Sequence, residues 1–328
     1  MKSHENKWVV VTGGAGFIGS CVVRHLNNNG VKNIIIVDEL ECSEKWKNLI
    51  GKKFIDILDK DHLFDWLPGK ESSIGAFIHL GACSDTMEID ASYLLENNYR
   101  YSVELAEYAL KSGHRFIYAS SAATYGDGSN GFVDDQSNLY ELQPLNMYGF
   151  SKQLFDQWAL NKGVLDRLVG LKYFNVFGPN EYHKGKMASA IMRMVPQIMN
   201  GGKIKLFKST NLSLFADGEQ KRDFLYVKDA VKMTCAFLTH NAGGIYNIGS
   251  GQASTWNQLA HAVYRTLDLP PQIEYIDMPP ELVKKYQNYS KADMTKTQKV
   301  LQRAASCMSL DDAVSDYVKN YLVEGKTW

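Results

Sequence analysis

The run KWVVVTGGAGFIGSCVVRHLNNNG, close to the start of the chain, constrains the fold more than any other stretch. A short β-branched segment enters a turn holding Gly13, Gly16 and Gly19 at GxxGxxG spacing, and an apolar pattern of helical period follows to Asn28–Gly30. Glycine lets the backbone bend sharply and approach a pyrophosphate, whose charge meets the N-terminus of the helix opened by Phe17 and Ile18. A glycine-rich turn alone is weak evidence, because plain structural turns use the same residues. Its context strengthens it. The next apolar run, NIIIVDEL, ends on Asp38 and Glu39, with Asp38 placed 22 residues after Gly16, where a carboxylate can bind an adenosine ribose.

Further apolar strands recur at AFIHLGA, HRFIYASS and LVGLKYFNVFG, separated by helical stretches around Tyr93 to Lys111 and over YGFSKQLFDQWALN. Parallel strands need helical crossovers, so this alternation predicts an α/β fold with a Rossmann-type doubly wound parallel sheet. After about Ala188 the elements become shorter and mixed, with IYNIGSG returning as a sheet strand and IEYIDMPP lying beyond it. The expected organisation is a dinucleotide-binding domain over 1–175, with returns near 223–250, and a smaller mixed α/β substrate lobe over 176–328. No internal repeat or low-complexity segment interrupts this pattern.

With 328 residues, 45% of them hydrophobic, the chain can bury a large core. Lys plus Arg and Asp plus Glu both number 36, so overall charge gives no reason to expect nucleic acid or an anionic membrane as partner. Cys21, Cys42, Cys83, Cys235 and Cys307 are odd in number and lack a CxxC pair, which fits reduced thiols rather than a disulfide framework or a metal site. The stretch MKSHENKW has no apolar signal core, and no run approaches the roughly 20 apolar residues that span a bilayer. The expectation is a soluble cytoplasmic protein.

The chemical motif is YASSAATYG followed by MYGFSK, giving Ser121, Tyr148 and Lys152. Tyr and Lys four residues apart lie one helical turn apart, and the cation can lower the phenol pKa toward an acid/base range. An isolated YxxxK is usually a surface pair; after a strand ending in Ser-Ser, downstream of a glycine turn, it reads as catalytic. These elements resemble the extended short-chain dehydrogenase/reductases. The resemblance implies that Ser121 hydrogen-bonds the substrate hydroxyl, Tyr148 moves its proton, and Lys152 holds the nicotinamide ribose and tunes Tyr148. Sugar-nucleotide dehydratases carry an acidic pair where this chain has Ala122 and Ala123, so epimerisation or simple oxidoreduction is expected rather than elimination.

The stretches GACSDTME, LNMYGFSK, KYFNVFGPNEYHKGKMAS, KRDFLYVKDA, IYNIGSG and KKYQNYSKAD together resemble the ADP-L-glycero-D-manno-heptose 6-epimerase family over nearly the whole chain, with HKG as the most specific part. The resemblance implies inversion of the exocyclic C6 of an ADP-heptose destined for the lipopolysaccharide core. It makes Lys184 a second acid/base opposite Tyr148, and implies a homo-oligomeric ring, a pentamer among the possibilities. Cofactor contacts carry over to Leu80, Gly81, Ala82, Cys83, Ser84, Asn97, Val176 and Lys184. Substrate contacts carry over to Asn175, Lys186, Arg193, Phe207, Lys208, Ser209, Thr210, Arg222 and Tyr286.

For the cofactor, Asp38 favours NAD, whereas Lys45 and Lys60 are available to neutralise a 2′-phosphate. The residues leave the choice open; the resemblance implies tightly held NADP, with NAD as the alternative. From Lys184 to Arg222 there are eight basic residues against Asp217 and Glu219, a local excess suited to a diphosphate or to an ordinary solvated face. The chain departs from the family at Lys186, where a small serine is expected, and in a longer loop from Asn211 to Gln220. Two rival readings remain. A UDP-hexose 4-epimerase shares the glycines and YxxxK, and a non-catalytic nicotinamide-binding redox sensor need not keep Ser121, Tyr148, Lys152 and Lys184 together.

Overall fold

The computed structural model of the chain describes residues 7–283 and 286–328; MKSHEN, and Lys284 and Lys285 of KKYQNYSKAD, lie outside the described residues. In chain order the strands are β1 (Trp8–Thr12), β2 (Ile34–Asp38), β3 (Asp56–Asp59), β4 (Ile74–His79), β5 (Arg115–Ser121), β6 (Leu168–Tyr173), β7 (Asn175–Phe177), β8 (Ile204–Phe207), β9 (Lys221–Arg222), β10 (Phe224–Tyr226), β11 (Gly244–Ile248), β12 (Ser254–Thr255) and β13 (Ile273–Ile276). Seven of them form one sheet in the order β11-β6-β5-β4-β1-β2-β3, every neighbouring pair parallel. This is the expected Rossmann-type sheet. The chain steps outward from β1 to β3, then crosses back to β4 on the other side of β1. That reversal opens a crevice at the carboxyl ends of the strands.

Helices cover both faces of the sheet, which is why its strands read as near-continuous apolar runs: β2, β4, β6 and β11 are buried at every position. The edge strand β3 instead exposes Asp56 and Asp59, charges that discourage further pairing. At the opposite edge, β11 is closed by side chains. Ile245 N–H donates to Gln136 Oε1 (3.0 Å) and Asn247 N–H to Asp134 Oδ2 (2.8 Å). Lys296 Nζ and Thr297 Oγ1, from helix Thr295–Leu301, donate to the carbonyls of Ile245 and Asn247 at 2.7 Å each.

The other strands pair two by two, β7 with β10, β8 with β13 and β9 with β12, and make a smaller mixed α/β lobe with helices Ala190–Met199 and Trp256–Thr266. Helix Trp256–Thr266 starts on a reciprocal cap between Thr255 and Gln258. The helix expected from Tyr93 to Lys111 divides into Ala91–Leu94, a π-helical segment Leu95–Arg100, and Tyr101–Ser112. The wider turn brings Asn97 to Lys60 (Nζ to Oδ1, 3.0 Å) and Asn98 to Cys83, whose N–H donates to Asn98 Oδ1 (2.9 Å). Among the described residues no helix is long and apolar enough to cross a membrane.

Candidate active site

β1 delivers the chain to the crevice, where the backbone itself demands glycine. Gly13 has a φ of 66°, and a Cβ on it would lie 2.7 Å from the backbone nitrogen of Gly81, just beyond β4. A Cβ on Gly19 would collide with the Gly13 carbonyl, so helix Phe17–Asn28 can start tight against the turn only with glycine there. The Gly81 side is held from below: its N–H donates to Thr12 Oγ1 (3.1 Å), which lies 2.7 Å from Nδ1 of the buried His79. Burial, with Lys152 adding to it, pushes His79 down to about 3, so this histidine is a neutral support.

Asp38, at the end of β2, accepts from Ala15 N–H on Oδ2 (2.8 Å) and from Lys45 Nζ on Oδ1 (2.8 Å). Lys60 pairs with Glu39 (2.8 Å). The two lysines therefore stand beside the two acids, each ion-paired with one of them.

Ser121 ends β5, and its Oγ accepts from Ala123 N–H (3.1 Å). Asn146 caps helix Met147–Asn161 by accepting from Gly149 N–H (2.8 Å), which sets Tyr148 in the first turn and Lys152 one turn on. Burial pushes Lys152 down to about 8, opposed by Asp156 and then Cys83. Burial also raises the Tyr148 phenol, with the Ser121 hydroxyl opposing. The expected lowering of Tyr148 by Lys152 does not appear: the groups that move the phenol are its burial, the Ser121 hydroxyl and Cys83.

Lys184 arrives on the turn Tyr182–Met187, which reverses at Gly185 with a φ of 52°. Its Nζ lies 5.4 Å from the Phe17 ring centroid. Burial lowers its pKa and Glu181 opposes, a net shift toward the neutral amine that a proton acceptor needs.

Every residue expected to be catalytic or to contact a cofactor lines one cleft of about 660 Å³, and so does Asn175. The remaining substrate expectations lie outside its lining. Arg222 is buried between the rings of Tyr286 (4.8 Å) and Trp256 (6.0 Å), with Phe207 edge-on to Tyr286. Asn175 joins this group to the cleft, since its N–H donates to the carbonyl of Asp223, next to Arg222 (3.1 Å). Lys208 pairs with Asp277 and Ser209 N–H donates to Asp217 Oδ1. Thr210, Lys186 and Arg193 are exposed, Lys186 because it follows the reversal at Gly185 and Arg193 because it lies on the open side of helix Ala190–Met199. Of the eight basic residues from Lys184 to Arg222, Lys184 alone lines the cleft.

Sequence reasoning missed His183, which lines the same cleft and is pushed down to about 4 by burial and then by Lys45 and Lys184. It stands in the HKG triplet, but a single histidine in a loop carries no local signal of burial. It also missed Asn48, Asn98 and Asn180, polar residues in irregular or helical stretches whose partners come from distant segments.

Comparison with known proteins gives this geometry a family. The profile of the NAD dependent epimerase/dehydratase family matches residues 9–249. A protein named ADP-L-glycero-D-manno-heptose-6-epimerase from Nitratidesulfovibrio vulgaris is 50% identical over 95% of this chain and 97% of its own length. Another of the same name, from Fusobacterium nucleatum, is 44% identical over 96% and 98%. The crystal structure of the Helicobacter pylori protein of that name superposes with a TM-score of 0.79 at 28% identity, covering 96% of both chains. A sequence and a fold that agree over nearly their full length place the chain in the NAD-dependent epimerase/dehydratase family, among the epimerases named ADP-L-glycero-D-manno-heptose-6-epimerase.

Proposed function

We propose that this enzyme inverts C6 of the heptose in ADP-D-glycero-D-manno-heptose to give the L-glycero epimer, a precursor of the lipopolysaccharide core. The observation that supports this most is the meeting of Tyr148 and Lys184, from different elements, in one cleft with Ser121 and Lys152. An epimerase that oxidises its substrate's stereocentre takes a proton from the C6 hydroxyl as the hydride leaves C6, lets the planar ketone present its other face, and returns a proton to the oxygen as the hydride comes back to that face. One fixed acid/base group does not easily reach both orientations. In this reading Tyr148 and Lys184 each serve one isomer, Ser121 holds the hydroxyl, and Lys152 holds the ribose. The nicotinamide, when bound, supplies the hydride acceptor and donor. Gly13, Gly16 and Gly19 leave the close backbone approach that its pyrophosphate needs, and the N-terminus of helix Phe17–Asn28 faces that charge. Residues 1–175 mainly carry the cofactor and 176–328 mainly the sugar nucleotide, with Asn175 at the join and the Arg222–Tyr286 group on the nucleotide side.

The test is incubation of the purified protein with ADP-D-glycero-D-manno-heptose or UDP-galactose while NMR follows the configuration. Inversion at C6 of the heptose alone is expected. Inversion of UDP-galactose at C4 would favour the UDP-hexose reading, and turnover of neither would favour a redox sensor.

NADP is the proposed cofactor, in spite of Asp38. A free carboxylate at that position repels a 2′-phosphate, but Asp38 and Glu39 are each paired with a lysine, Lys45 and Lys60, so neither presents an uncompensated charge. Denaturing the purified protein and identifying the released dinucleotide by mass is expected to give NADP. Recovery of NAD alone, with no NADP binding to the emptied protein, overturns this.

A further inference from the structure

The short helix Glu44–Leu49 sends Lys45 to Asp38 and, three residues later, buries Asn48 at 2% exposure. Asn48 Nδ2 donates to the Ala15 carbonyl of the glycine turn (3.0 Å) and to the Asn180 carbonyl (3.2 Å), with His183 Nδ1 alongside at 3.2 Å. Asn180 is itself fully buried, with a φ of 76°, and its Nδ2 donates to Ser20 Oγ (3.0 Å) on the helix behind the turn. From Asn180 the chain runs through Glu181, Tyr182 and His183 to Lys184. The far end of this segment is pinned too, because Glu181 accepts from both Ser189 N–H and Ser189 Oγ (2.6 Å each).

We propose that Asn48 is a positioning residue, whose amide bridges the Ala15 and Asn180 carbonyls and so fixes where the Lys184 amine stands relative to the glycine turn. This rests on the reading of Lys184 as an acid/base. The two carbonyls bring two acceptors and no donor of their own, so the two amide hydrogens of Asn48 are what lets them approach one another in a buried place. The same short helix holds Lys45 on Asp38, which ties the position of the lysine segment to the adenosine end of the cleft. A displacement of about 1 Å at a proton-transfer group is enough to lower turnover by about 10²-fold.

The test uses Asn48→Ala and the isosteric Asn48→Asp, each alone and combined with Lys184→Met, in the full chain. Epimerisation kcat is expected to fall about 10- to 100-fold in Asn48→Ala, with KM within about threefold and the parent's content of bound dinucleotide. Asn48→Asp is expected to fall further, because a carboxylate would face two carbonyl oxygens with no hydrogen to give. Added to Lys184→Met, Asn48→Ala is expected to lower the residual rate by less than about threefold, since the amine it aims is already gone. A packing role alone reverses these results, with Asp milder than Ala and the same loss in both backgrounds, and that overturns the proposal. So does a loss of activity matched by an equal loss of bound dinucleotide. If Lys184→Met turns over like the parent, the acid/base reading falls and this inference with it. If Lys184→Met is inactive while Asn48→Ala stays within about twofold of the parent, well short of the loss expected from misplacement, the positioning inference alone falls.

Discussion

Lys184→Met is expected to lower epimerisation about 10²- to 10⁴-fold, the usual loss when one proton-transfer group is removed, while leaving the fold and bound dinucleotide in place. The side chain is on a turn rather than in the core, and methionine keeps its length and its contact with Phe17 while removing the amine. Tyr148→Phe should cause a comparable loss, because the ring stays and only the hydroxyl beside Ser121 goes. Turnover by NMR, dinucleotide content after denaturation and a thermal melt separate chemistry from folding. A Lys184→Met enzyme that epimerises within about threefold of the parent, far short of the loss of a proton-transfer group, ends the two-base mechanism. So does one whose inactivity is explained by lost dinucleotide.

Asp156→Leu is expected to destabilise the fold by about 3–5 kcal/mol, with much of that recovered in Asp156→Leu/Lys172→Met. Lys172 lies within β6 at 1% exposure, and its Nζ is 3.0 Å from Asp156 Oδ2, itself wholly buried. Tyr118 and Ser120 hydroxyls donate to the same carboxylate (2.9 and 2.7 Å), and Lys172 Nζ also donates to Thr124 Oγ1 (2.6 Å). Removing the acid leaves a cation in the core with no counter-charge, whereas removing both charges leaves neutral groups to repack. Denaturant melts of the single and double variants decide it. A single variant within about 1 kcal/mol of the parent, or a double variant no better than the single, refutes this account.

What the sequence disclosed, it disclosed where a local constraint leaves few choices of residue. Gly13 and Gly19 were legible because backbone touches backbone there, and Tyr148 and Lys152 because four residues make one helical turn. The parallel sheet was legible from its unbroken apolar runs. The π-helical segment Leu95–Arg100 was not, because one widened turn hardly disturbs an apolar period. Lys172 did leave a sign, a lysine inside the apolar run LVGLKYF, but its partner on helix Met147–Asn161 is set by packing. The substrate expectations scattered for the same reason: whether Lys186, Arg193 or Lys208 reaches a cleft depends on how loops from distant parts of the chain lie together, and spacing records nothing of that.

The manner in which β11 completes the sheet bears on how the chain comes off a ribosome. When β6 has emerged, the strand that covers its outer edge is still unsynthesised, and so is helix Thr295–Leu301, whose Lys296 and Thr297 seal β11 in turn. For that interval the nascent Rossmann half presents an apolar strand with an unpaired backbone edge, open to pairing with another chain or to a holding chaperone. An excised 1–175 fragment would stay in that condition permanently. The half that carries β1 to β6 is thus not a detachable module: the strand that ends its vulnerability is encoded beyond β7, β8, β9 and β10.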